Sequence, residues 1–193
     1  MRRLCIVPRW GGGPDRDFYP WLRASLDARA PMLFDEILSP EMPSPGTPTI
    51  EGWVGRIEEI VGRDPRALVE TVIIGHSVGC QAVLRFLARL PEGARARGAL
   101  LVAGWFQVDK PWDTLRPWMD TPIDDAAVRA HCDRFVVLLS DNDPFTASYE
   151  ENGRAWEERL GAQVVMAPGR RHFNEAEEPA VLEALVTRLG LEV

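Results

Sequence analysis

A chain of 193 residues, 46% hydrophobic and 26% charged, can bury a core without cross-links. Its net charge of −7, with no basic stripe interleaved with aromatics, argues against nucleic acid or anionic membranes as partners. No stretch is apolar for the length of a bilayer span, and three cysteines without a C-x-x-C pair suggest neither a disulfide framework nor a zinc or redox motif.

Arg3 to Val7 reads as a first strand, because its apolar run is too short for a secretion signal and no small-residue cleavage site follows. A glycine-rich loop, Pro8 to Pro14, comes next. Asp17 to Arg29 has helical spacing, with Trp21, Leu22 and Leu26 on one face. Met32 to Leu38 reads as a second strand and the proline-rich stretch Ser39 to Pro48 as an irregular crossing. Thr49 caps a helix carrying Trp53, Ile57, Ile60 and Val61. Thr71 to Gly75 is a β-branched strand, and Cys80 to Leu90 spaces Val83, Leu84, Leu87 and Leu90 as a helix. Ala99 to Ala103 is a strand, followed by a polar and aromatic excursion from Gly104 to about Ala130. A strand at Phe135 to Ser140, a helix at Phe145 to Leu160, a strand at Gln163 to Ala167 and a helix at Pro179 to Leu189 complete the chain.

No repeat or linker divides these elements, so one domain over 1–193 is expected. Strands too apolar for a one-sided sheet, alternating with helices, predict an α/β fold. It would be a minimal, mostly parallel, doubly wound sheet of about six strands, with helices on both faces and no separate lid domain. Ligands then bind at the carboxyl ends of strands where strand order reverses, a point flanked by the first strand and the Thr71 strand. The reduced, buried character of Cys5, Cys80 and Cys132 points to the cytoplasm.

Gly75-His76-Ser77-Val78-Gly79 lies between the Thr71 strand and the following helix. G-x-S-x-G in that context is a nucleophile elbow, which presents the Ser77 hydroxyl on a strained turn. Gly75 and Gly79 fall where a Cβ would collide with the adjoining strand and helix. A serine needs a base, and the base needs a third group to fix its tautomer. Of the three histidines, His76 is inside the elbow and points away from the hydroxyl, and His131 precedes a strand at the wrong end of the sheet. His172 follows the last strand, where the base belongs. The acid should follow the Phe135 strand, in Asp141-Asn142-Asp143-Pro144-Phe145. Asp143 has an edge as the residue before a proline that can open a helix, although that also suits a helix cap; Asp141 stays open as the acid or an Asx-turn residue.

Together the first strand with its glycine-rich loop, the Trp21-Leu22 helix, Trp53, Gly75-His76-Ser77, Asp141-Asn142-Asp143-Pro144-Phe145 and His172-Phe173-Asn174 resemble a compact branch of the α/β-hydrolases. This is the branch of small serine hydrolases typified by retinoblastoma-binding protein 9 and YdeN. The resemblance runs through nearly the whole chain and implies Asp143 as the acid, His172 as the base, esterase-type chemistry and no cofactor. Pro8-Arg9-Trp10 departs from the small or glycine-containing turn common in that branch.

The expected reaction is acyl transfer to water from a small ester, thioester or amide, through an acyl-enzyme on Ser77. Val78 and Trp10 would supply oxyanion-hole N–H groups, with Arg9 as the alternative to Trp10. Trp105, Phe106, Trp112 and Trp118, with Trp10, form a candidate apolar wall for the acyl group, or else pin a long loop to the domain. Arg9, Arg170 and Arg171 stand near the mouth. A small-molecule partner and no metal are expected. The competing readings are a non-catalytic interaction module on the same scaffold and an acyltransferase using the same triad.

Overall fold

The computed structural model describes residues 1–191, so the last two positions of the expected 1–193 span lie outside it. Six strands form one sheet: β1 (Arg3–Val7), β2 (Glu36–Leu38), β3 (Thr71–His76), β4 (Gly98–Val102), β5 (Phe135–Leu139) and β6 (Gln163–Met166). All neighbours are parallel and the order is β2-β1-β3-β4-β5-β6. The chain winds outward from β1 to β2, then returns to β3 and proceeds the other way, so strand order reverses between β1 and β3. Their carboxyl ends meet where Val7 pairs with Gly75.

Side-chain alternation feeds two cores. Leu4, Ile6, Val72 and Ile74 face one layer with Leu22, Leu26, Val181 and Leu185. Cys5, Val7 and Ile73 face the other, with Trp53, Ile57, Val83, Phe86 and Trp156. The central strands are buried on both faces and so are apolar at most positions, which is why they read as near-continuous runs; Arg3, Thr71 and His76 are the buried polar exceptions in β1 and β3.

Among the described residues eight helices cover the sheet: α1 (Tyr19–Arg29), α2 (Ile50–Val61), α3 (Pro65–Leu68), α4 (Val78–Ala88), α5 (Arg116–Asp120), α6 (Asp125–Ala130), α7 (Tyr149–Leu160) and α8 (Pro179–Glu183), the last running on as a π-type turn, Ala184–Arg188. Thr49 caps α2 as expected, its hydroxyl accepting the Gly52 N–H at 3.2 Å. Among the described residues no helix is long and apolar enough to cross a membrane.

Three expected boundaries move. The first helix begins at Tyr19, because Asp17 has a φ of 50° and cannot be helical. The second strand keeps only Glu36–Leu38; Met32 and Leu33 turn, and Met32 is exposed. The helix expected from Phe145 begins at Tyr149, since Asp143 Oδ1 takes the Phe145 N–H at 2.9 Å and closes a turn there. Asp143 is therefore no cap of that helix.

The 104–130 excursion is pinned rather than loose. Buried Asn152 accepts the Phe106 and Gln107 N–H groups at 2.9 and 3.2 Å, and its own amide donates to the Gln107 carbonyl. Arg85 reaches up from α4 and donates to the Trp118 and Thr121 carbonyls at 2.9 and 2.7 Å. These bonds satisfy carbonyls at the end of α5 that have no helical partner.

Candidate active site

Ser77 joins β3 to α4 with φ 55° and ψ −118°, a conformation that L-residues rarely adopt. Its N–H donates to the Val102 carbonyl at 2.9 Å and its carbonyl accepts from Cys80 N–H at 2.9 Å, so the turn is held from both sides. A Cβ on Gly75 would lie 2.8 Å from the Cys80 backbone, and one on Gly79 2.5 Å from the Val7 carbonyl oxygen. Glycine at 75 lets the strand turn directly into the following helix, and glycine at 79 lets that helix pack against β1. Cys80 is buried beneath it, and burial pushes its thiol up.

His172 lies on the loop after β6, only 6% exposed. Its Nδ1 is 2.7 Å from Asp143 Oδ2. The loop is held by the segment after β5: Asp141 Oδ1 accepts the Gly169 N–H at 2.8 Å, Ser140 Oγ that of Arg170 at 2.9 Å, and Asn142 Oδ1 that of Arg171 at 2.7 Å. Asp141 thus holds backbone while Asp143 reaches the imidazole. Arg171 and Phe173, on either side of His172, have φ of 50° and 53°. Of the two other histidines, His131 bonds the Ala94 carbonyl at the opposite end of the sheet. His76 is fully buried, turned away from the cavity, and burial holds its pKa well below the ordinary value, assisted by the nearby His172.

Ser77, Val78 and His172 line a cavity of about 120 Å³ with Arg9, Trp10 and Trp105. Val108, Trp112, Leu115, Phe145 and Asn174 complete its wall. Neither the Ser77 hydroxyl nor His172 Nε2 has a hydrogen-bond partner among the described residues, so both remain free toward this space. The Arg9 N–H is taken by the Tyr19 hydroxyl at 3.1 Å. The Trp10 and Val78 N–H groups have no such partner among the described residues. Trp10 and Trp112 meet edge-to-face at 5.1 Å, and Phe145 packs edge-on against His172 at 4.7 Å, forming an aromatic rim.

A family model of serine hydrolases matches residues 4–189. The chain belongs to the serine hydrolase family. It is 27% identical over 178 residues to serine hydrolase RBBP9 of Rattus norvegicus, covering 91% of this chain and 89% of that protein. YdeN of Bacillus subtilis (strain 168) is 30% identical over 105 residues, 54% of this chain and 51% of YdeN. The solved structure of the B. subtilis ydeN gene product overlays with a TM-score of 0.77 at 22% identity, covering 98% of this chain and 100% of that one. XCC1541 of Xanthomonas campestris, of the α/β superfamily, overlays at 0.65 with 16% identity, covering 98% and 99%. The fold is a minimal α/β-hydrolase fold.

Two of the aromatic residues expected at the substrate site of this hydrolase lie elsewhere. Phe106 packs tilted against Trp156 at 4.3 Å beneath the Arg159 guanidinium and does not line the cavity. Trp118 is buried against Trp53, its indole N–H donating to the Pro48 carbonyl at 3.1 Å. It floors a larger groove of about 790 Å³ that includes neither Ser77 nor His172. The segment 112–118 turns between the two spaces, Trp112 and Leu115 to one and Pro117 and Trp118 to the other. Two of the three arginines near the mouth are engaged: Arg9 pairs with Asp17 at 2.9 Å, and Arg170 pairs with buried Glu178 at 2.5–2.7 Å, whereas the Arg171 side chain is exposed. Among the described residues no group of three or more His, Cys, Asp or Glu converges as a metal site requires.

Residue patterns did not single out Phe145 and Leu115 as lining residues, nor Tyr19 as a neighbour of the elbow. Tyr19 is one of only two tyrosines and heads a helix two residues after a strained Asp17, a weak signal that it is aimed inward.

Proposed function

We propose that this hydrolase cleaves small carboxylic esters or related acyl compounds through a Ser77–His172–Asp143 triad. The supporting observation is that His172, whose Nδ1 lies 2.7 Å from buried Asp143, lines the same cavity as Ser77. With Nδ1–H donated to the carboxylate, Nε2 carries the lone pair and can accept the serine proton. Ser77 Oγ then attacks the acyl carbonyl. The oxyanion is met by the Val78 N–H, at the positive end of α4, and by the Trp10 N–H. The imidazolium protonates the leaving oxygen, the alcohol departs, and a water activated by the same Nε2 releases the acid. Ser77 Oγ and His172 Nε2 come into direct hydrogen-bond reach as the acyl carbonyl binds over the hydroxyl from the cavity side, as free-enzyme geometries commonly tighten on binding.

Cavity size supports short acyl groups. At roughly 30 Å³ for each water-sized group, about 120 Å³ holds an acyl portion of about four non-hydrogen atoms, less than the ~150 Å³ that admits benzene. The leaving group then lies outside the aromatic rim.

Hydrolysis of p-nitrophenyl acetate, butyrate and octanoate, with fluorophosphonate labelling, tests this reading. Ser77→Ala and His172→Ala should each lose activity by on the order of 10⁶-fold, and the double variant should be no worse. Label should attach to Ser77, and acetate or butyrate should be preferred to octanoate. A Ser77→Ala variant that keeps most of its rate ends the proposal.

A further inference from the structure

His76 has a hydrogen-bond arrangement that admits one proton assignment. Its Nε2 is 2.8 Å from the His172 carbonyl oxygen, and a carbonyl only accepts, so Nε2 carries the hydrogen. Burial keeps the ring neutral, which leaves Nδ1 as an acceptor. The Tyr19 hydroxyl, 2.8 Å from Nδ1, therefore donates to it, and with its remaining lone pair accepts the Arg9 N–H at 3.1 Å. The series runs Arg9 N–H to Tyr19 O–H to His76, then His76 Nε2–H to the His172 carbonyl. Tyr19, His76 and Phe18 are fully buried around it. The titratable groups facing the ring are Tyr19 and His172, with the Arg9 guanidinium beyond.

Both ends of this series are backbone groups beside the reaction space. At one end, fixing the Arg9 N–H sets the peptide preceding the Trp10 N–H. At the other, the His172 carbonyl lies between two residues in left-handed backbone, Arg171 and Phe173. Asp143 holds the His172 side chain, whereas His76 holds its main chain. The elbow residue next to the nucleophile thus ties the nucleophile's own strand to the base and to an oxyanion donor.

We propose that His76 and Tyr19 are positioning residues for hydrolysis, setting the His172 imidazole and the Trp10 N–H relative to Ser77. The inference rests on the triad proposed above. Neither residue touches substrate, so their loss acts on the transition-state geometry and leaves ground-state binding in place.

The test exploits the separate reach of two amides. In His76→Gln the amide nitrogen stands where Nε2 was and still donates to the His172 carbonyl. In His76→Asn it stands where Nδ1 was and that bond is lost. For p-nitrophenyl acetate, His76→Asn should lower kcat by about 10²-fold with KM within about twofold, the size of effect expected from a misplacement of about 1 Å. His76→Gln should recover at least tenfold of that loss, and fluorophosphonate labelling rates should follow the same order. Tyr19→Phe, which removes a single oxygen, should lower kcat by about tenfold with KM unchanged, and it decides the matter if either His76 variant fails to fold. Equal losses in His76→Gln and His76→Asn, a loss confined to KM, or a fully active Tyr19→Phe each overturn the inference. Label on Ser77 of the unaltered protein keeps the triad standing in those cases; its absence removes the triad itself.

Discussion

Asp141 and Asp143 are two residues apart, yet the turn between them sends one carboxylate to the Gly169 N–H and the other to His172. The first bond needs only an acceptor, which an asparagine oxygen also provides. The second needs an acceptor for Nδ1–H that also stabilises an imidazolium, and an amide can favour the wrong tautomer. Asp141→Asn should therefore keep kcat/KM within about tenfold, whereas Asp143→Asn should lower it by about 10⁴-fold. Ester hydrolysis by the two variants decides between the carboxylates, and the reverse order would reassign the acid. Gly79 gives a second test at this scale. An added methyl would sit 2.5 Å from a backbone oxygen of β1, which cannot rotate away as a side chain could. Gly79→Ala should lower the unfolding free energy by about 2 kcal/mol or more in urea titration. The elbow glycines, the serine and the late histidine were legible because each occupies a fixed place in a short motif or is scarce in the chain. Tyr19 and Phe145 were not, because what places them is packing between segments far apart in sequence. Asp17, Ser77, Arg171 and Phe173, all at positive φ around the site, depend on the same tertiary packing at about 1 kcal/mol or more each.

The central strands were readable since burial on both faces leaves an uninterrupted apolar run, and all six lie within a few residues of the expected spans. Edges were less so: β2 has only three residues, and half-buried edge positions lose the pattern. The short helices α5 and α6, of 5 and 6 residues, leave no mark in the sequence, because no apolar periodicity lasts long enough there to declare a helix. Aromatic residues there were of two kinds that sequence could not separate. Trp118 belongs to the core, so Trp118→Ala should cost about 3–5 kcal/mol in unfolding free energy. Trp112 is 39% exposed and closes the rim of the Ser77 cavity against Trp10 and Phe145. Trp112→Ala should cost much less stability and open the cavity instead, raising the octanoate-to-acetate ratio of kcat/KM by about tenfold or more. A ratio unchanged from the unaltered protein would mean that the acyl chain leaves by another route.

At the scale of the whole molecule, the all-parallel sheet gathers residues 9, 19, 77, 143 and 172 at its carboxyl end, and His76 lies fully buried beside them. That placement links folding to pH. His76 is held neutral in the folded protein, mainly by burial, whereas in the unfolded chain it titrates near its ordinary value of about 6.5. Below that pH the unfolded chain binds a proton that the folded one refuses, so stability is present above about pH 6.5 and declines as pH falls toward the lower folded value. The steepest decline from one such group is about 1.4 kcal/mol per pH unit. Glu178 works in the opposite sense, because burial raises its carboxyl against the pull of Arg170, so its contribution is greatest at low pH and fades as pH rises. A comparison that leaves Glu178 unchanged isolates the histidine. Urea unfolding of the unaltered protein and His76→Gln between pH 8 and pH 5 should show the variant less stable at pH 8. The gap should narrow below about pH 6.5, since glutamine has no proton to gain. Parallel curves across that range would place the His76 proton equilibrium equally in the folded and unfolded states, contrary to a ring buried between Tyr19 and the His172 backbone.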